Sequence, residues 1–136
     1  MKLGRSVEAN LHRYRWDDME ERCGIITRAR WGMSFIEVPN RHPEPQHRFL
    51  IRAGDVVRVM VRRDQDEELI GYFHTHPGDQ SMRLPSTRDF FVAGKHRELL
   101  HAMYHPWSHS LTWFDHTGVL TTDHVRPFIS KGLILR

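Results

Sequence analysis

Residues 71–89, GYFHTHPGDQSMRLPSTRD, set two imidazoles one residue apart, break at Pro77-Gly78, and then place Ser86 three residues before Asp89. On a strand, side chains at i and i+2 share a face, so His74 and His76 project together and Thr75 projects oppositely. Imidazole nitrogen is a good zinc ligand, and a catalytic zinc takes three protein ligands and leaves its fourth position to water. The third ligand must come from elsewhere in the chain, and Asp89 is the obvious candidate. Asp79, in the intervening loop, is a spare carboxylate. Ser86 and Asp89 share one face of the helix that follows. The same Ser-x-x-Asp spacing is that of a capping box, which needs no metal, and the two roles are compatible.

The elements that must position these residues follow from patterning. Residues 6–20 predict a helix with Ser6 as N-cap and Val7, Leu11, Tyr14 and Met19 near one side. RCGIITRAR (22–30) and GMSFIEV (32–38) read as two strands turning at Trp31-Gly32, and PNRHPEPQHR is a loop by composition. GDVVRVMVRR (54–63) reads as a short helix with Asp55 as N-cap. ELIGYFHTH is a buried strand stopped by Pro77-Gly78, which leaves both imidazoles at its C-terminal edge. PSTRDFFVAGKHRELLHAMY (85–104) reads as one long helix, with Phe90, Ala93, Leu100 and Met103 apolar and Gly94 its weak point. SLTWFDHTGVLTTD is a hairpin turning at His116-Thr117-Gly118, with Trp113 in the core. The tail HVRPFISKGLILR carries one more apolar patch suited to docking on the sheet. The order helix, strand pair, helix, strand, long helix, strand pair gives an α/β (α+β-like) class with a mixed, largely antiparallel sheet flanked by helices, and not a doubly wound one.

The bulk numbers narrow the function classes. At 136 residues the chain has the size of one domain, 1–136, large enough for a core without staples. Its mean hydropathy of −0.59 is that of a soluble protein. No apolar run approaches the ~20 residues that cross a bilayer, and MKLGRSVEANLHRY lacks the apolar stretch of a secretory signal, so the expectation is a cytoplasmic protein with no membrane partner. Cys23 is the only cysteine and sits in the apolar string CGII, which favours an inert thiol over a thiol protease. The net charge is +3 and the arginines are scattered without a run longer than two, which reads as a solvated mixed-charge surface and argues against a nucleic-acid partner. Of the eleven histidines, most read as surface or loop residues, His42, His47, His105 and His109 among them. Trp107, in HPWSH, is a candidate for exposure and partner contact.

HTHP…PSTRD resembles the signature of the JAMM (MPN-plus, JAB) zinc metalloprotease family, His-x-His-Pro followed by Ser-x-x-Asp. The family also places a catalytic glutamate upstream on the first strand, in a context like Glu-x-Cys-Gly; here EERCGII sets Glu21 three residues before Gly24. EVPN (37–40), with Phe49 further on, resembles the family's Pro-Asn loop. One departure is the spacer Pro77–Pro85, nine residues, which is two longer than the family's usual spacing. The resemblance extends from about residue 6 to the hairpin.

This resemblance implies a layered, cytidine-deaminase-like fold of the compact prokaryotic and phage type. It implies one Zn²⁺ per chain, held by His74, His76 and Asp89, with a water in the fourth position. Glu21 is then the general base and proton carrier, and Ser86 donates to the oxyanion. Glu20, one residue away, turns to the other face. The implied activity is hydrolysis of a peptide or isopeptide bond in an extended peptide or a ubiquitin-like tail. The implied partners are a ubiquitin-like sulfur-carrier protein or, for a phage-encoded form located in a virion tail, a phage tail protein. The alternative is a non-catalytic assembly or scaffold module, as in relatives of the family that have lost ligands; this chain keeps all five residues.

Overall fold

The computed structural model describes residues 3–126. In chain order the elements are α1 (Arg5–Leu11), β1 (Cys23–Ala29), β2 (Gly32–Val38), α2 (Ala53–Met60), β3 (Glu68–Thr75), α3 (Thr87–Lys95), β4 (Leu100–His105), β5 (Ser110–Asp115) and β6 (Gly118–His124), with a 3₁₀ turn at Gln80–Met82. Among the described residues the strands form one six-stranded sheet in the order β2-β1-β3-β4-β5-β6. The pairs are antiparallel except β3 and β4, which run parallel with α3 as the crossover.

Strand alternation divides the core. On one face Ile26, Phe35, Phe73, Ala102, Tyr104, Leu111 and Trp113 pack with Val7 and Leu11 of α1. On the other, Met103 and Phe114 pack with Phe90 and Ala93 of α3. Gly24 lies opposite Phe73 in the β1–β3 ladder, and the ring of Phe73 occupies the space a side chain would take there. The hairpin β5–β6 turns at His116-Thr117, and the indole N–H of buried Trp113 donates to Asp123 Oδ2 at 2.9 Å. Trp107 is half-exposed and packs edge-on against Trp16 at 5.1 Å.

Several expectations are corrected. The N-terminal helix stops at Leu11, not near residue 20, and its N-cap is Gly4, not Ser6. Beyond it Asp18 Oδ2 accepts from the backbone N–H of Arg15 at 3.1 Å, a local bond that competes with helix continuation. Tyr14 is still buried, but Met19 is fully in solvent. Asp55 does not cap α2; Arg52 stands at the N-cap, and the Asp55 carboxylate is spent on Arg41 and Arg58 at 2.9–3.1 Å. The long helix expected over 85–104 is α3 followed by β4. His96 leaves helical geometry at φ −133°, and Leu100–His105 joins the centre of the sheet. His105, expected at the surface, is completely buried. The expected docking of the tail falls largely on residues 127–136, outside the described residues. No helix among the described residues is long and apolar enough to cross a membrane.

Candidate metal centre

The β1–β3 ladder brings the upstream glutamate to the histidines. Cys23 pairs with His74, and beyond the strand ends the pairing continues through Thr75 N–H donating to Arg22 O at 2.8 Å and Arg22 N–H donating to Thr75 Oγ1 at 2.8 Å. Glu21, one residue before Arg22, therefore falls beside His76. It lies just ahead of β1 and not on it, a small correction to the expected placement. Glu20 is exposed, though it too lies ahead of the strand. The loop after β2 clamps Glu21 at both backbone atoms. Its N–H donates to Pro45 O at 2.8 Å, and its carbonyl accepts from Asn40 Nδ2 at 2.9 Å. Asn40 also donates to Arg48 O and accepts from the N–H groups of His42 and Leu50, at 3.0–3.1 Å. A full set of four amide bonds folds the EVPN loop against the site.

Phe49, on the same loop, stacks on the His74 ring at 4.5 Å with an interplanar angle of 18°. His74 and His76 share one face, as their spacing predicts, and their Nε2 atoms lie 3.2 Å apart. The Nδ1–H of His76 donates to Met82 O at 3.2 Å, which directs the Nε2 lone pair inward.

Asp89 arrives on the first turn of α3. Ser86 is the N-cap: its Oγ accepts from Asp89 N–H at 3.1 Å, and Asp89 Oδ2 accepts from Ser86 N–H at 2.8 Å. That same Oδ2 stands 3.2 Å from His74 Nε2 and 3.1 Å from His76 Nε2. The capping box and the histidine pair thus share one oxygen. Asp79, the spare carboxylate, is exposed, and its Oδ1 accepts from the N–H and hydroxyl of Ser81.

Burial sets the protonation of these groups. It pushes the Glu21 carboxyl up to about 8, with His76 opposing the rise and Asp89 adding to it. Complete burial holds the His74 imidazole below its ordinary value against the pull of Asp89. For His76 burial acts the same way, but Asp89 and Glu21 outweigh it and the ring is raised. Burial would also raise Asp89, yet the two imidazoles hold its carboxyl far below the usual carboxylate range. The Cys23 thiol is buried and pushed up to about 12, by burial first with Glu37 adding.

Glu21, His74 and His76 each offer a buried ligand atom, and these atoms lie within 4.8 Å of one another, so the group could hold a metal ion. Asp89 Oδ2 is closer still to both imidazoles. A cleft of about 590 Å³ opens onto Glu21, His76, Ser86 and Asp89, walled by apolar side chains including Phe49, Ile51, Val56 and Val92. Two contributors to this architecture were not found from sequence: the hub role of Asn40 and the carbonyl of Met82. The EVPN motif pointed at the first, whereas a backbone carbonyl leaves no signal in residue type.

The model of the prokaryotic homologues of the JAB domain matches residues 5–116, so the chain belongs to that family, and its fold is the JAMM/MPN type the motifs implied. No curated protein matches the chain.

Proposed function

We propose that this protein is a zinc-dependent peptidase or isopeptidase that hydrolyses an amide bond in an extended peptide or ubiquitin-like tail. One observation carries this reading. His74 Nε2, His76 Nε2 and Asp89 Oδ2 are mutually 3.1–3.2 Å apart. The edges of a tetrahedron of zinc ligands at 2.0–2.1 Å are about 3.3 Å long, so three donors already sit at the spacing the ion requires. Zinc takes the neutral imidazole and the ionised carboxylate; the lowered values of His74 and Asp89 favour those forms, and His76, raised by Asp89 and Glu21, would release its proton on binding. A bound zinc ion supplies Lewis acidity and lowers the pKa of water from about 15.7 to about 7.

The remaining roles fall to the protein. Glu21, buried beside His76, is placed to accept a proton from the attacking water and return it to the leaving amine. Ser86 Oγ accepts from Asp89 N–H, which leaves its own proton free to donate to the oxyanion. The cleft, lined by apolar side chains together with Arg48 and Arg88, has room for an extended chain segment next to the scissile bond. A ubiquitin-like sulfur-carrier protein or a phage tail protein would supply such a segment. The buried single thiol accords with a cytoplasmic location.

Glu21→Gln tests the assignment. Zinc content should stay at the wild-type level while turnover of a peptide substrate falls to background. Turnover at the wild-type rate would remove Glu21 as the base, and loss of zinc would make it a ligand.

A further inference from the structure

We propose that His105 is a positioning residue for the centre: it anchors the 77–85 loop, whose Met82 carbonyl in turn orients His76. The part concerning metal rests on the zinc reading above; the anchoring of the loop does not.

His105 ends β4, is completely buried, and is used by none of the steps described. Its Nε2 lies 2.8 Å from Asp79 O, and its Nδ1 lies 2.6 Å from Ser108 Oγ, which is itself 2.6 Å from Ser110 Oγ. A carbonyl only accepts, so Nε2 carries the hydrogen; in the neutral ring Nδ1 then accepts from the Ser108 hydroxyl. The Asp79 carbonyl therefore fixes the tautomer, and Ser108 on the β4–β5 connection, backed by Ser110 at the start of β5, satisfies the other ring nitrogen.

The gripped carbonyl is central to the loop. Asp79 O also accepts from Met82 N–H at 3.0 Å, so its two lone pairs serve His105 and the 3₁₀ turn together. The Asp79 side chain holds the start of that turn through Ser81. The turn ends at Met82, whose own carbonyl accepts from His76 Nδ1–H at 3.2 Å. Three links thus join His105 to His76: the Asp79 carbonyl, one turn, and the Met82 carbonyl. The loop is the segment that is longer than the family's usual spacing, so the elements bearing the ligands do not by themselves dictate its path. A buried anchor does.

The test compares full-length wild type with His105→Phe, which keeps the ring volume without the bond, and His105→Gln, whose amide N–H can reach the Asp79 carbonyl. Amide hydrogen exchange and zinc affinity, by chelator competition, are both read. In His105→Phe the amides of Ser81, Met82 and Arg83 should exchange about tenfold faster, with β5 amides unchanged, and zinc affinity should fall about tenfold, as for other supporting partners of a ligand. His105→Gln should restore part of both. The proposal is overturned if both variants match the wild type, or if exchange rises equally through β4 and β5 with no rescue by Gln, which marks a packing role alone. Should His105→Phe not fold, Ser108→Ala, which removes the Nδ1 partner, carries the same comparison with a smaller effect. If the wild type binds no zinc, the function proposed above fails, and the exchange readout still decides whether His105 anchors the loop.

Discussion

Asp89 Oδ2 does two things at once, closing a capping box and facing two imidazoles, while Ser86 caps the helix and is the proposed oxyanion donor. The observed role of Ser86 and the proposed one separate by substitution. Glycine is nearly as good an N-cap as serine, costing only a few tenths of a kcal/mol, but it has no hydroxyl to donate. Ser86→Gly should therefore melt close to the wild-type temperature while kcat falls by about 10²–10³. A variant within about threefold of the wild-type rate would show that the hydroxyl serves only the helix, since losing a real oxyanion donor costs far more. At this scale most of the site was legible. His74, His76, Ser86 and Asp89 announce themselves because metal chemistry restricts residue type and alternation restricts spacing. His105 did not, because a histidine in HPWSH carries no signal for burial; its partners are the hydroxyl of Ser108 and a carbonyl far away in sequence.

At the scale of elements, β1, β2 and the β5–β6 hairpin were read correctly from β-branched runs and turn residues, whereas β4 was missed. LHAMYH is covered on both faces, so it shows no alternation, and Leu100 and Met103 at a spacing of three mimic a continuing helix. What decides the matter is tertiary: the slot beside β3 pairs His101 to Tyr104 with Tyr72 to Thr75, and a helix could not fill it. The missed strand matters for the site, since His76 N–H donates to Tyr104 O at 2.9 Å. The close approach of β1 to its neighbours is a separate requirement. A Cβ on Gly24 would run into Ile36 O and the Phe73 ring, well inside van der Waals contact. Gly24→Ala should destabilise the fold by about 1–3 kcal/mol, the usual cost of overpacking, in a denaturant titration. An unchanged midpoint would mean that the β1–β3 ladder is not as close as described.

Across the whole molecule, α1 is tied by charge to the residues that follow β6. Buried Glu8 of α1 accepts from Arg126 at four contacts of 2.8–3.2 Å, one of them from the backbone N–H. Burial would raise the Glu8 carboxyl, but the bonds from Arg126 and the nearby Arg5 bring it below 4.5. The folded protein thus binds fewer protons here than the unfolded chain. The stabilisation is complete above pH 4.5 and is lost as the pH falls through the lower folded value. Thermal melts should show a steeper loss of stability below pH 4.5 in the wild type than in Glu8→Gln, which cannot titrate. Parallel pH profiles would remove this tie from the account. The tie also explains why residues near 126 matter to a fold whose chemistry ends at Asp89: they close the sheet's α1 face, where Val125 is fully buried.

The most direct test is zinc content per chain, by elemental analysis of wild type and His76→Ala purified without a histidine tag or added metal. The account predicts about one zinc in the wild type, as a three-ligand site with an open position requires, and almost none in the variant. No zinc in either protein, even after reconstitution, would contradict it and leave residues 71–89 as a strand, a turn and a capped helix.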